Sequence, residues 1–429
     1  MTTSVTGGMG AVDAERRSEL KEHERGLARS NAATVERAGR VLMQNYRQQP
    51  IVLARGAGAL LWDLSGKRYI DMTAGVAVCS LGHAHPRLVR TIAEQASRLL
   101  HVSNLYYSEP QIELAEELVR RSFADRVFFC NSGAEANEAA LKLARRYHAV
   151  TKGAPERTEI VAFEGSFHGR TSGAVSMTGQ PKYRAGFGPL VGPVRFLPFD
   201  DVHALESVDF TKVCAIFVEP VQGEGGVLPA SEGFLKALRA YADASGAVLV
   251  FDEVQTGFGR TGRLFGYEHV GVRPDVMTLA KGIAGGVPMG AIVARDEFAR
   301  ALEPGTHAST FGGNALASAA GLAVLAAFDE EKLVERAERV GRYLGDKLAV
   351  LAEKYAPRTR GARGLGLMRG LVLEGDAAPV VRACAELGLL VSVAGGSVVR
   401  FTPPLVIGEA EVDEAVAILD RVLSARGAA

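Results

Sequence analysis

The chain reads as an α/β protein with a mostly parallel sheet, on three observations. Short β-branched runs such as Val248-Leu249-Val250-Phe251 and Val276-Met277-Thr278-Leu279-Ala280 are bounded by glycine-rich turns, the pattern of strands buried on both faces. Stretches of helical length separate such runs, as the crossovers between parallel strands require. At 429 residues the chain can bury a large core and fill two domains. In open sheets of this kind ligands sit at the carboxyl ends of the strands. Asp252 and Lys281 fall there.

Composition narrows the partners. Lys and Arg together number 49, as do Asp and Glu, for a formal net charge of 0. That balance argues against broad attraction to nucleic acid or to an anionic membrane. No apolar run approaches the roughly 20 residues of a membrane span. The start is charged, Glu15-Arg16-Arg17-Ser18-Glu19-Leu20-Lys21-Glu22, where a signal peptide would be apolar. Cys79, Cys130, Cys214 and Cys384 are scattered, with no C-x-x-C pair. Buried free thiols, no zinc and a cytoplasmic location are the expectation.

The elements follow in order. Residues 1–40 are polar and alanine-rich, so a disordered tip and a loosely docked helix within Ala14–Arg40 are expected. Ile51-Val52-Leu53, Ala59–Asp63 and Tyr69-Ile70-Asp71, joined by glycine turns, read as a small antiparallel meander. Gly82-His83-Ala84-His85-Pro86 leads into a helix near Pro86–Leu99. Its two histidines have metal-ligand spacing, but no carboxylate or cysteine stands near them in sequence, which favours a structural role. Gln111–Arg121 is an amphipathic helix.

Val127–Cys130 is a strand that Asn131-Ser132-Gly133-Ala134 turns into the helix Glu135–His148. Bare amides at such a turn suit a phosphate, although every tight strand-to-helix turn looks like this. Glu159–Phe163, Val213–Val218, Val248–Phe251, Val276–Ala280 and Gly290–Ala294 are strands; Glu232–Ser245 and Ala315–Phe328 are helices. Glu219 and Glu224, beside a strand end, read on residue type as solvated acids. Near Asp329 the composition shifts. A charged helix, Glu330–Tyr355, opens a smaller αβ unit. There Leu365–Leu373, Leu389–Val393 and Ser397–Phe401 are strands, and Ala378–Leu387 and Glu409–Ala425 helices.

An acid and a lysine at neighbouring strand ends suit one chemistry. A desolvated amine loses its charge and attacks a carbonyl. A carboxylate opposite keeps a pyridine nitrogen protonated, which makes that ring an electron sink. Those two roles describe a pyridoxal phosphate site. On spacing alone, a loop start and a solvent-facing strand end are the better account, because single charges are common at such places.

The surrounding motifs change that balance. Phe251-Asp252-Glu253-Val254-Gln255-Thr256-Gly257, followed by Thr278-Leu279-Ala280-Lys281-Gly282, resembles the core signature of the class III aminotransferases. The histidine motif already quoted and Asn131–Asn137 stand in the family's order. So do Gly165-Ser166-Phe167-His168-Gly169-Arg170, Glu219–Gly226 and Ser309-Thr310-Phe311-Gly312-Gly313-Asn314. The resemblance runs from about Val41 to the C-terminus, and the ordered set is far more specific than any one motif.

What the resemblance implies is detailed. The fold is fold type I: a large domain, 81–328, with a mostly parallel seven-stranded sheet, and a smaller α/β domain from both chain ends, 41–80 and 329–429, after an extension, 1–40. Lys281 and Asp252 are the catalytic pair. Gly133 and Ala134 hold the cofactor phosphate, Phe167 and Val254 clamp the ring, and Gln255 bonds its phenolic oxygen. Arg170 takes a substrate carboxylate, with two hydrogen bonds from a planar guanidinium. Arg400 takes the α-carboxylate of glutamate or 2-oxoglutarate, and Glu224 pairs with it. Ser309 and Thr310 reach a neighbouring subunit's site, so a homodimer with shared active sites is expected. Glu253 is given no catalytic role.

The implied reaction moves the terminal amine of N-acetylornithine to 2-oxoglutarate, giving N-acetylglutamate 5-semialdehyde and glutamate, a step of arginine biosynthesis. The stretch His101–Gln111 favours that branch of the family over ornithine or 4-aminobutyrate as donor. A catalytically dead binding module is the reading from another class, and the intact Lys281, Asp252 and Arg170 argue against it.

Overall fold

The computed structural model describes residues 30–425. Most of the predicted N-terminal extension, with its helix from Ala14, lies outside the described residues. The chain divides into two compact units, one of residues 30–56 with 60–69 and one of 57–59 with 70–425 among those described. In the first, α1 (Asn31–Val41) is capped by Ser30, whose hydroxyl accepts from the Ala33 amide at 3.2 Å. Strands β1 (Leu53–Ala57) and β2 (Leu60–Asp63) lie next to each other, and β3 (Arg68–Asp71) follows. The carboxylate of Asp63 accepts from Asn31 and from the Tyr69 hydroxyl at 2.9 and 3.0 Å.

The larger unit holds the seven-stranded sheet. Its strands are β4 (Arg126–Cys130), β5 (Glu159–Phe163), β6 (Val194–Leu197), β7 (Val213–Val218), β8 (Val248–Asp252), β9 (Val276–Leu279) and β10 (Gly290–Ala294). They lie in the order β4-β10-β9-β8-β7-β5-β6. Only β10 runs against its neighbours. Every residue of β5, β7, β8, β9 and β10 is buried, which is why these strands read as continuous apolar runs. The edge strand β6 was not expected: Val-Arg-Phe-Leu is half exposed and alternates weakly.

Helices close the faces. α2 (Gly133–Arg146) lays Ala136, Ala140, Leu143 and Ala144 into a core with Ile160, Phe217, Val250 and Ile292. It starts two residues earlier than the sequence pattern indicated, capped by Ser132 onto the Glu135 amide. α3 (Glu232–Ser245) matches its predicted bounds and ends at Gly246, in left-handed conformation at φ 74°.

Two C-terminal expectations need correction. The single strand predicted over Leu365–Leu373 is a hairpin, β11 (Thr359–Leu365) and β12 (Met368–Leu373). Gly366, at φ 50°, makes the turn, and a side chain there would strike the Thr261 backbone. The run Leu389–Val393 is split between two sheets. Leu389 and Leu390 pair in parallel with Ile70 and Asp71, whereas β13 (Ser392–Ala394) pairs antiparallel with β14 (Val398–Phe401). The histidines find partners that their sequence neighbourhood did not reveal. Each has a carboxylate partner in space: His83 Nε2 meets Asp71 at 2.7 Å and His85 Nε2 meets Glu331 at 2.8 Å. The two acids are different residues, so each ring is held separately.

Candidate active site

Adjacent parallel strands deliver the central pair. Asp252 ends β8 in register with Thr278 of β9, and Lys281 comes just past the end of β9. Both line a cavity of about 430 Å³ at the carboxyl edge of the sheet. Lys281 adopts φ 48°, a conformation that costs a non-glycine residue energy and clusters at functional sites. Burial pushes its ammonium below the ordinary lysine range; Arg400 acts the same way, while Glu224, Asp252 and Glu219 oppose the shift.

Asp252 is fixed from three directions. Its Oδ2 accepts from Asn137 Nδ2 at 2.8 Å and faces His168 Nδ1 at 2.7 Å; its Oδ1 accepts from the Val254 amide at 3.0 Å. Asn137 Nδ2 also donates to the His168 carbonyl, at 2.7 Å. All three side chains are almost fully buried. Burial alone would lower the His168 pKa, but Asp252 outweighs it and raises the group above its ordinary value. Neither His168 nor Asn137 was singled out from the sequence. Both sat inside quoted motifs, but only the fold aims them at one carboxylate.

Most of the residues that the resemblance assigns to the cofactor line this cavity. Phe167, Val254 and Gln255 line the cavity, as do Ser132, Gly133 and Ala134 at the start of α2. The amides of Gly133 and Ala134 have no acceptor among the described residues and belong to the open first turn of a helix. A Cβ on Gly133 would come within 2.7 Å of Val254, so the residue must be glycine for these two walls to meet.

The charged groups of the outer cavity fall into two kinds. Arg170 is exposed, and no acid pairs with it among the described residues; its guanidinium lies 4.1 Å from the Tyr183 ring centre and 5.5 Å from that of Phe167. Arg400 is buried and already paired. Its Nη1 donates to Glu224 Oε1 and, at 3.3 Å, to Gln255 Oε1, and its Nε donates to Ser392 at 3.1 Å. Burial pushes the Glu224 carboxyl up, Arg400 outweighs that, and the net pKa lies below the ordinary value.

The last two predicted residues stand apart from the cavity. The Ser309 hydroxyl accepts from Asn131 Nδ2 at 3.2 Å and from the Gly312 amide at 3.0 Å. Thr310 is on the surface.

The acids at the end of β7 differ from the solvated reading. Glu219 is 5% exposed and lines the cavity. Its Oε1 accepts from the Phe167 amide at 2.9 Å. Burial raises its pKa to about 7, with His168 pulling it down and Asp252 pushing it up. Glu253 is fully buried and faces away from this chemistry, accepting from Thr256, Gly266 and Tyr267 at 2.6–2.7 Å.

These features fit pyridoxal phosphate. Two bare helix amides suit a phosphate, a held carboxylate suits a protonated ring nitrogen, and a partly desolvated lysine suits an aldehyde. The comparisons agree. A model of the family described as Aminotransferase class-III matches residues 41–423. The chain belongs to that family, and it is a pyridoxal-phosphate-dependent aminotransferase of fold type I. An acetylornithine aminotransferase of Gloeobacter violaceus is 52% identical over 384 residues, 89% of this chain and 96% of that protein. The ornithine aminotransferase structure from Toxoplasma gondii superposes with a TM-score of 0.90 at 34% identity, covering 95% and 97% of the two chains. An acetylornithine aminotransferase structure from Elizabethkingia anophelis gives 0.82 at 32%, covering 92% and 99%.

Proposed function

We propose that this enzyme moves the terminal amine of N-acetylornithine to 2-oxoglutarate, yielding N-acetylglutamate 5-semialdehyde and glutamate. The observation that carries this reading is the unequal state of two arginines: Arg170 has no acid partner among the described residues, whereas Arg400 is paired with Glu224. An acylated ω-amine has one carboxylate, far from the reacting nitrogen, for which Arg170 is the receptor. Glutamate brings a second carboxylate next to its amine, and that one must displace Glu224 from Arg400. The names of the close relatives support the same donor.

Bound pyridoxal phosphate supplies an aldehyde that takes up the amine and a protonated ring that accepts an electron pair. The protein's own groups do the rest. The Gly133 and Ala134 amides would receive the phosphate, and Asp252, oriented by His168 and Asn137, would keep a ring nitrogen protonated. Phe167, Val254 and Gln255, which line the same cavity, would hold the ring. Lys281 would hold the aldehyde and, when free, would carry the proton at the substrate carbon beside nitrogen. Burial holds its ammonium below the ordinary lysine range, which favours the neutral amine a base requires.

A homodimer and a cytoplasmic location belong to the same reading. Thr310 is assigned to the partner's phosphate and Ser309 to the edge of the substrate site. Leu105, Tyr106, Tyr107 and Phe311 are exposed, and Asn104 ties their segment to the Ser309–Gly312 loop at 2.8 and 3.0 Å. Large apolar side chains so grouped suit burial by a second copy. Burial pushes the Cys130, Cys214 and Cys384 thiols up to about 12, 11 and 12, as suits inert thiols of a reducing compartment.

A donor panel tests the reaction. The expected order of kcat/KM is acetylornithine, ornithine, 4-aminobutyrate, with about tenfold or more between the first two. Ornithine brings an unpartnered α-ammonium to where a neutral amide belongs. If 4-aminobutyrate is the best donor, the substrate assignment fails.

A further inference from the structure

We propose that Glu219 is a positioning residue that holds the ring-facing Phe167 and the Glu224 loop from one buried carboxylate, and so couples cofactor seating to the choice between substrates. The inference rests on the two-arginine reading above. Glu219 follows β7 directly. Its Oε1 accepts from the Phe167 amide at 2.9 Å and its Oε2 from the Gly223 amide at 3.4 Å. A carboxylate has acceptors on both oxygens, whereas an amide has one acceptor and would turn its NH₂ toward the other N–H. The geometry therefore calls for an acid at this position.

The second contact reaches the switch in short steps. Gly223 packs so closely on Gln255 that a Cβ there would lie 2.3 Å from Oε1. That oxygen accepts from Arg400 Nη1, and the same Nη1 donates to Glu224. The Glu224 carbonyl in turn accepts from the Gly395 amide at 3.0 Å, which leaves little slack in the loop. Burying an acid here is costly unless charge compensates it. His168 offsets part of that cost, although burial still raises the carboxyl to about 7, and Lys281 feels the Glu219 charge.

The test uses the loaded, full-length enzyme and compares wild type with Glu219→Gln and Glu219→Ala. Each half-reaction is followed separately, with acetylornithine and with glutamate, beside cofactor affinity by reconstitution and a melting curve. Glu219→Gln can still accept from Phe167 but loses Gly223. We expect its cofactor affinity to stay within about threefold while the acetylornithine-to-glutamate rate ratio falls about three- to tenfold, the worth of one modest hydrogen bond. Glu219→Ala loses both contacts, and cofactor affinity should fall about tenfold further.

Equal losses in both half-reactions, or an unchanged ratio in Glu219→Gln, would overturn the proposal. Glu219→Gln is nearly isosteric and decides the matter by itself should the alanine variant not fold. Should wild type prefer ornithine to acetylornithine, the substrate reading fails, yet the shift in ratio on Glu219→Gln still reports whether this carboxylate holds the loop.

Discussion

The inner cavity, around Asp252, and the outer cavity, around Arg170 and Arg400, are built to opposite rules. Within the inner half the charge is buried and held from several sides: Asn137, His168 and the Val254 amide all converge on Asp252 at 2.7–3.0 Å. The outer half holds one arginine stacked on aromatic rings and one in an ion pair. Arg170 is exposed and lacks an acid partner among the described residues. Arg400 is 3% exposed and spends its charge on Glu224. The contrast suits the roles proposed for the two halves. A group that stabilises charge on the cofactor works best preorganised, with no rearrangement during the reaction. A site that accepts two differently shaped donors needs a contact that one of them can displace, because a ligand shifts an equilibrium only through differential contacts.

Substitutions should separate the halves. Lys281→Ala should abolish turnover by several orders of magnitude with every donor, because both the anchor and the proton carrier go. Single-turnover assays with both donors check this, and residual activity near wild type would remove Lys281 from its role. Asp252→Ala should cost about 10²–10³ in rate, again for all donors alike; a donor-dependent loss would erase the distinction drawn here.

Arg400→Ala should do the opposite and discriminate. Its glutamate half-reaction should fall at least about tenfold more than its acetylornithine half-reaction, since a buried charge-assisted contact is lost from only one of them. Equal losses would make Arg400 structural. Hybrid dimers extend the test to the rim. A Lys281→Ala chain mixed with a Thr310→Ala chain should regain part of the activity each lacks alone, if Thr310 serves its partner. No recovery in confirmed mixed dimers would withdraw that assignment.

The smallest effect concerns pH. His168 has its folded pKa raised above 6.5 by Asp252. Its contribution to stability is therefore full below about pH 6.5 and is lost as pH rises through the raised value. The gap in Tm between wild type and His168→Gln should be widest near about pH 6 and narrow toward about pH 9. A gap that widens with pH would mean that His168 is held neutral.

The sequence by itself determined most of the sheet and set Asp252 and Lys281 at neighbouring strand ends. Strands buried on both faces must be apolar throughout, so β5, β7, β8, β9 and β10 announce themselves. Residues next to strand ends inherit a position from the sheet, which is why Asp252 and Lys281 were legible as neighbours. The edge strand β6 gave no such signal, because one exposed face relaxes the pattern. The hairpin at Gly366 was hidden inside one apolar run, where only a left-handed turn breaks the strand.

Tertiary structure alone decided the partners. His168 and Asn137 lie 84 and 115 residues from Asp252 in the chain, and Arg400 lies 176 from Glu224. His83 and Asp71, only 12 apart, still looked unpartnered in sequence. Glu219 looked solvated because an acid at a strand end usually is. A hydrogen bond depends on ångström distances between side chains, and chain spacing does not fix those until the backbone between them has folded.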